Sequence, residues 1–433
     1  MSNLANELNA RLEGTVVARV MSDLGRRMFF PRGIVAQSAE AKARAHRFNA
    51  TVGMAYQDGE PMTLPVIREL TAGLTTSESV AYAPTTGLPA LRTLWQQRMI
   101  EKNPDLKDVT LTNPVVVPGL TAGISLIADM FADPDNTLLL PDLFWGNYRL
   151  TFAERRLCRI REFPFFDNAG AFNSAAFTEA ARGASSGGKL MVMLNFPNNP
   201  AGFTPSPSDV DRIRTTLVNL AESVPIVVVA DDAYFGLNYS DKLYTQSIFS
   251  ALATAHPNIL AVKVDGATKE DFVWGFRVGF VTFSFKGMTR DHADALETKM
   301  AGMIRSIFSS SSTLSQSILL KALQHPDYAA QKEQARKVLE ARFRTLQSVL
   351  AAKEKEGRAP ALTPLPCNSG YFMSFRCQGI NAEELRLTLL DRGVGTISVK
   401  DQYLRVAFAG VDERDIKELY REIFDAAEAL TPS

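Results

Sequence analysis

Lys269 is followed at short range by Gly275, Arg277 and Gly279, in the stretch Gly266-Ala-Thr-Lys269-Glu-Asp-Phe-Val-Trp-Gly275-Phe-Arg277-Val-Gly279. It sits between two apolar, strand-like runs at 259–264 and 274–283. A lysine amine there suits a covalent imine to an aldehyde cofactor, because its pKa falls readily near cations or away from water. Arg277 would then hold that cofactor's phosphate. The same spacing also fits a surface lysine beside a structural arginine. A phosphorylated pyridine aldehyde needs more: an anion at its ring nitrogen, a phosphate cradle and a flat group on the ring. Asp231, in Val227-Val-Val-Ala-Asp231-Asp-Ala-Tyr234, follows the most apolar run of the chain. It could pair with the ring nitrogen and be kept ionised by it, or cap the next turn. Tyr234 could donate its hydroxyl to the phenolic oxygen. In Asn195-Phe-Pro-Asn-Asn199-Pro-Ala-Gly202, prolines fix a turn that leaves Asn199 as an amide donor. Gly119-Leu120-Thr121 opens a helix pattern, and free amides at a helix start suit phosphate. Trp145 could stack on the ring. Each residue has an ordinary use in a loop, a cap or a core. Their joint order points to one site.

Those residues need a scaffold that brings distant segments together. Apolar runs at 114–117, 137–140, 189–194, 225–230, 259–264 and 274–283 read as strands. Helical patterns at 121–131, 175–182 and 208–221 separate them. Continuous apolar strands alternating with helices predict an α/β fold: a mostly parallel sheet sandwiched by helices. Ligands of such sheets gather at the carboxyl ends of the strands, where Gly119, Asn195–Asn199, Asp231 and Lys269 all fall. After a long helical stretch at 291–355, strands at 370–377, 395–399 and 403–408 and helices at 382–392 and 413–430 form a smaller α+β unit. The expected division is an N-terminal segment 1–62 joining the small domain, a cofactor-binding domain 63–310 and a C-terminal small domain 311–433. Residues 183–188 read as a flexible Gly/Ser loop, and 309–312 as a serine run before a helix.

Composition narrows the function classes. With 433 residues, two domains are expected. Lys plus Arg and Asp plus Glu are both 47, which argues against a nucleic-acid partner. No apolar run is long enough to cross a bilayer, so no membrane partner is expected either. The polar N-terminus lacks the apolar core of a secretory signal. Cys158, Cys367 and Cys377 form no even framework and fit a reducing, cytoplasmic compartment. Four histidines without paired spacing make a metal site unexpected.

On these residues the chain resembles the class I/II aminotransferases, fold type I pyridoxal-phosphate enzymes, from about Asn49 to Gly410, with motifs nearest the aspartate/aromatic members. Asn-Pro-Ala-Gly at 199–202 looks like the family's Asn-Pro-Thr-Gly turn, and 231–234 like its Asp-x-x-Tyr element. The resemblance implies pyridoxal 5'-phosphate as cofactor, with Lys269 as the imine lysine. Asp231 would serve the ring nitrogen, Asn199 and Tyr234 the phenolic oxygen, and Gly119, Leu120, Thr121 and Arg277 the phosphate. Trp145 would stack on the ring, and Tyr82 would reach the neighbouring subunit's phosphate in a homodimer with shared sites. Arg405, in Leu404-Arg405-Val-Ala-Phe408, would grip the substrate α-carboxylate, with Asn199, Trp145 and Gly53 beside it. Arg305 falls where aspartate-type relatives bind a second carboxylate. Four residues depart from the pattern: Gly266 stands where a phosphate-binding serine is frequent, Leu120 replaces a small residue, and the acidic pair Glu270-Asp271 follows the lysine. The implied activity is ping-pong transfer of an amino group between an L-amino acid, dicarboxylic or aromatic, and a 2-oxo acid. A β-eliminating C–S lyase would use nearly the same residues. A sensor domain of a transcription regulator would need a basic DNA-binding module ahead of the fold. Phe29, Phe30 and Met54 are candidates to line an aromatic substrate pocket.

Overall fold

The computed structural model describes residues 3–12, 23–27, 34–51, 53–70, 73–185, 188–356 and 361–431. Phe29 and Phe30 lie outside them, as do positions 186 and 187 of the Gly/Ser stretch, whose Gly183 and Ala184 instead close the helix Ser174–Ala184.

Seven strands build the large sheet: β1 (Val115–Val117), β2 (Thr137–Pro141), β3 (Arg159–Phe163), β4 (Leu190–Asn195), β5 (Ile226–Asp231), β6 (Ile259–Asp265) and β7 (Gly279–Ser284). Their spatial order is β1-β7-β6-β5-β4-β2-β3. The pairs among β2 to β6 are parallel, and β7 runs antiparallel to both β1 and β6. Every residue of β4, β5 and β7 is buried, as a sheet covered on both faces requires. Helices α1 (Leu120–Phe131), α2 (Ser174–Ala184) and α3 (Pro207–Ala221) supply apolar covering faces.

Two strand expectations need correction. The run 274–283 is not one strand: Trp274–Phe276 forms a 3-10 turn, Arg277 takes a left-handed backbone at φ +53°, and pairing starts only at Gly279. A left-handed residue cannot hold its place in a ladder. Strand β3 gave no apolar signal, because as an edge strand it alternates arginines and a glutamate with Ile160 and Phe163.

The predicted helical stretch 291–355 is three helices, Arg290–Ile307, Thr313–Gln324 and α4 (Tyr328–Lys355). Ser312, last of the serine run, caps the second by accepting from the Ser315 amide. The smaller unit has strands β8 (Leu362–Pro364), β9 (Met373–Cys377), β10 (Ile397–Val399) and β11 (Tyr403–Val406), antiparallel in the order β8-β9-β11-β10. Helix α5 (Glu413–Ala429) packs its apolar stripe on this unit and on α4. The N-terminal part belongs with it: Phe48–Asn49 pairs in parallel with Val394–Gly395, and the Ala407 amide donates to the Ala50 carbonyl at 2.8 Å.

Candidate active site

The parallel register between β4 and β5 sets Asn195 beside Asp231 at the ends of their strands. Asn195 then joins the two loops that follow. Its Nδ2 donates to the Asp231 carbonyl at 2.8 Å, and its Oδ1 accepts from the Asn199 amide at 2.8 Å. The turn beyond contains cis peptides at Phe196–Pro197 and Asn199–Pro200. It ends at Gly202 (φ +72°), where a Cβ would lie 2.1 Å from the Phe372 carbonyl oxygen. Only a glycine lets the turn meet the small-unit loop that closely.

Asp231 is 3% exposed. Its carboxylate accepts from the Tyr148 hydroxyl and from the Ala233 amide at 3.0 Å. Burial pushes its pKa up, opposed by the Tyr148 hydrogen bond, Lys269 and the Ala233 amide. The carboxylate therefore caps its turn and still faces the cleft; four lone-pair sites leave room for another donor. Lys269 lies on the short turn after β6, its ammonium 4.8 Å from the centre of the Tyr234 ring and its carbonyl accepting from Tyr371 Oη at 3.0 Å. Loss of water, with a push from Arg277, lowers its pKa to about 8 against the pull of Asp231. Burial raises the Tyr234 phenol, which stays a hydrogen-bond donor at neutral pH.

Arg405 comes from β11 of the small unit and is 2% exposed. Nη1 donates to Asn199 Oδ1 at 3.1 Å, Nη2 donates to the Thr51 carbonyl at 2.8 Å, and the guanidinium lies 4.4 Å from the centre of the Phe372 ring. Burial lowers its pKa to about 10, and its Nε has no partner among the described residues. No carboxylate pairs with it among those residues. A buried cation without a counter-ion is a strong demand for an anion.

Gly119 (φ +84°) precedes α1, whose first amides, those of Leu120 and Thr121, have no partner within the helix. A Cβ at Gly119 would sit 2.3 Å from Arg277 Nη2, so the guanidinium rests on bare backbone. A Cβ at Gly279 would meet the Gly119 carbonyl carbon at 2.8 Å. Arg277 is solvent-exposed and forms no ion pair with the described residues. Helix-start amides beside a free guanidinium fit a phosphate.

One cleft of about 260 Å³ is lined by Gly53, Leu120, Thr121, Trp145, Asn199, Asp231, Tyr234, Lys269, Arg277 and Arg405 together. Gly119 lies against the lining residue Arg277. The donor set and the glycine cradle fit a phosphorylated pyridine aldehyde, with a buried acid, an amine of lowered pKa and two guanidiniums lining one space. Tyr82 and Arg305 are not in this cleft: Tyr82 is 96% exposed and Arg305 projects from the last turn of Arg290–Ile307. Sequence reasoning missed Asn195, Ala233, Thr268 and Phe372 as lining residues, and Tyr148 as the partner of Asp231. Tyr148, three positions after Trp145, was legible as a second aromatic on that loop; Phe372 carried no signal. Met54 does not line the cleft.

Known proteins resemble this chain in sequence and in fold. The curated relatives include the cytoplasmic isozyme 2 of aspartate aminotransferase from Arabidopsis thaliana, 22% identical over 275 residues, 63% of this chain and 66% of that protein. Aspartate aminotransferase of Pyrococcus horikoshii is 25% identical over 224 residues, 49% of this chain and 51% of that protein. The chain thus matches about half to two thirds of the length of these relatives. Among solved structures, an aminotransferase from Anaerococcus prevotii superposes with TM-score 0.82 at 22% identity, covering 95% of this chain and 100% of that one. A Pyrococcus horikoshii kynurenine aminotransferase superposes with TM-score 0.79 at 17% identity, covering 96% and 99%. Likeness at this identity establishes the fold. The family profile "Aminotransferase class I and II" matches residues 50–423, most of the chain, and the protein belongs to that family.

Proposed function

We propose that this protein is a pyridoxal 5'-phosphate-dependent aminotransferase. It would move an amino group between an L-amino acid, dicarboxylic or aromatic, and a 2-oxo acid by a ping-pong mechanism. The carrying observation is one cleft that sets a lysine amine of lowered pKa, a buried carboxylate and a buried guanidinium without a counter-ion around a common space. Bound there, pyridoxal 5'-phosphate supplies an electron sink in conjugation with the substrate Cα. Arg405 would hold the α-carboxylate through a fork of N–H donors, with Asn199 keeping the guanidinium oriented. Lys269 Nζ, once free and neutral, would take the proton from Cα and return it on the other side of the exchange. Asp231 would hold the proton at the ring nitrogen, and Tyr148 would orient Asp231. Trp145 would cover one face of the ring.

A homodimer with shared sites is part of the proposal. Tyr82, Val80, Ile307 and Leu314 are large apolar side chains exposed between 42% and 96%. The Thr313 hydroxyl bonds the Ala81 carbonyl, which joins the two segments in one surface. Exposed apolar patches of this kind mark association surfaces. Tyr82 would then serve the partner's phosphate, and Arg305 the second carboxylate of a substrate in the partner's cleft. A cytoplasmic location and the division at about residues 62 and 310 belong to the same reading; no described helix is long and apolar enough to cross a membrane.

The test is a half-reaction panel. Purified protein loaded with pyridoxal 5'-phosphate is mixed with single amino acids, and the cofactor's visible band and the released oxo acid are followed. Loss of the band with one equivalent of oxo acid, and turnover only when a second oxo acid is added, is expected. Pyruvate and ammonia formed without any added oxo acid would mean a lyase. Lys269→Ala should abolish turnover, and near-native activity in that variant would sink the assignment.

A further inference from the structure

Gly266 and Leu120, the two departures from the family pattern in the phosphate region, meet in space. A Cβ at Gly266 would lie 2.6 Å from the Val278 carbonyl oxygen, 2.9 Å from Gly279 Cα and 3.1 Å from Leu120 Cδ1. Two of those neighbours are backbone and cannot give way, so this backbone accepts no side chain at 266. No hydroxyl can be delivered to the phosphate end from there.

Two residues further on stands a hydroxyl without employment. Thr268 is 3% exposed and lines the cleft with Leu120, Thr121 and Arg277, yet its Oγ1 has no hydrogen-bond partner among the described residues. A buried hydroxyl is seldom left unpaired, since it gives up its bonds to water and recovers nothing. The same cleft is lined by Arg277, an exposed guanidinium without an ion pair among the described residues, and by Leu120 and Thr121 at the start of a twelve-residue helix, whose first amides have no partner within the helix. All three groups are donors, and the acceptor they share would have to be an anion.

We propose that Thr268 Oγ1 donates a hydrogen bond to the phosphate of the bound cofactor, in place of the hydroxyl that Gly266 cannot carry. The proposal rests on the cofactor reading above and deepens it. Thr268 is a binding residue for the phosphate, and its loss should be felt by a phosphorylated ligand only.

The experiment compares pyridoxal 5'-phosphate with unphosphorylated pyridoxal on cofactor-stripped protein, titrated by absorbance. Thr268→Val should raise the dissociation constant of the phosphorylated ligand about tenfold, the worth of one hydrogen bond to a charged acceptor. It should leave pyridoxal binding unchanged, and Thr268→Ser should recover most of the loss. Thr268→Ala provides the same comparison should the valine variant not fold. An unchanged constant, a loss shared equally by both ligands, or a serine variant no better than valine would overturn the proposal while the cofactor reading stands. Wild-type protein that binds neither ligand would end both.

Discussion

In the proposed reaction Lys269 and Arg405 would carry the chemistry, and each is tuned by where it is held. Lys269 has an amine whose pKa is lowered to about 8 by burial and Arg277. The neutral amine is the nucleophile, so the rate of cofactor uptake by stripped protein should climb about tenfold per pH unit below 8 and level off above it. A rate still rising at pH 10 would show an ordinary surface lysine. Asp231 pulls this pKa upward, so Asp231→Asn should move the midpoint to lower pH. Arg405 makes a planar fork from a fixed position, bonded to Asn199 and the Thr51 carbonyl. Arg405→Lys keeps the charge and loses the fork. Its KM for the amino acid should rise at least about tenfold, with cofactor affinity unchanged, and equal losses in both would point to a structural arginine instead. These residues were legible in the sequence because their types and order are chemically restrictive. The links among them were not. Asn195, which ties Asp231 to Asn199, looks in the sequence like one more loop asparagine.

Strands and helices hold these residues through charges buried behind the sheet ends. Lys263 on β6 is 0% exposed and pairs with Asp232 at 2.5 Å and Asp265 at 2.8 Å. Burial alone would lower its pKa, but the two carboxylates outweigh it and keep the lysine charged. Lys263→Met would strand both acids in the interior. A loss of about 3–5 kcal/mol is expected, read as a drop in the denaturation midpoint, because breaking a buried pair costs far more than the pair is worth. The acidic pair after Lys269 has an element-scale explanation too. Glu270 meets Lys102 at 2.5 Å and Lys332 at 2.7 Å, and Asp271 meets Lys332 at 2.8 Å. Burial pushes Glu270 up, yet the two lysines hold it down at about 2. Helix α4, which contributes Lys332, thus clamps the turn that carries Lys269. From the sequence alone the pair was only unusual, since Lys332 lies 62 residues beyond Glu270 and nothing local marks it as the partner.

At the scale of the whole molecule, the proposed homodimer means that one chain would not hold a complete site. Tyr82 and Arg305 lie outside their own cleft, on a surface with exposed apolar side chains. Hybrid dimers of Lys269→Ala with Tyr82→Ala should therefore contain one native site, with the lysine of one chain and the tyrosine of the other. Co-expressed and separated by a tag on one chain, hybrids should bind one cofactor per dimer with wild-type affinity, whereas Tyr82→Ala homodimers should bind more weakly. If the hybrid's single site is as weak as that of the Tyr82→Ala homodimer, the tyrosine acts within its own chain.

The chain's residues by themselves determined that a parallel sheet would form, because unbroken β-branched runs such as 226–229 can be stable only when covered on both faces. They also determined which side chains would stand at its strand ends. Tertiary structure alone decided three matters. Lys269 lost its water, Arg405 was carried in from the small unit to face Asn199, and a leucine at 120 closed over a bare backbone at 266. Each depends on contacts between segments far apart in the chain, and desolvation and steric exclusion exist only once those segments have met.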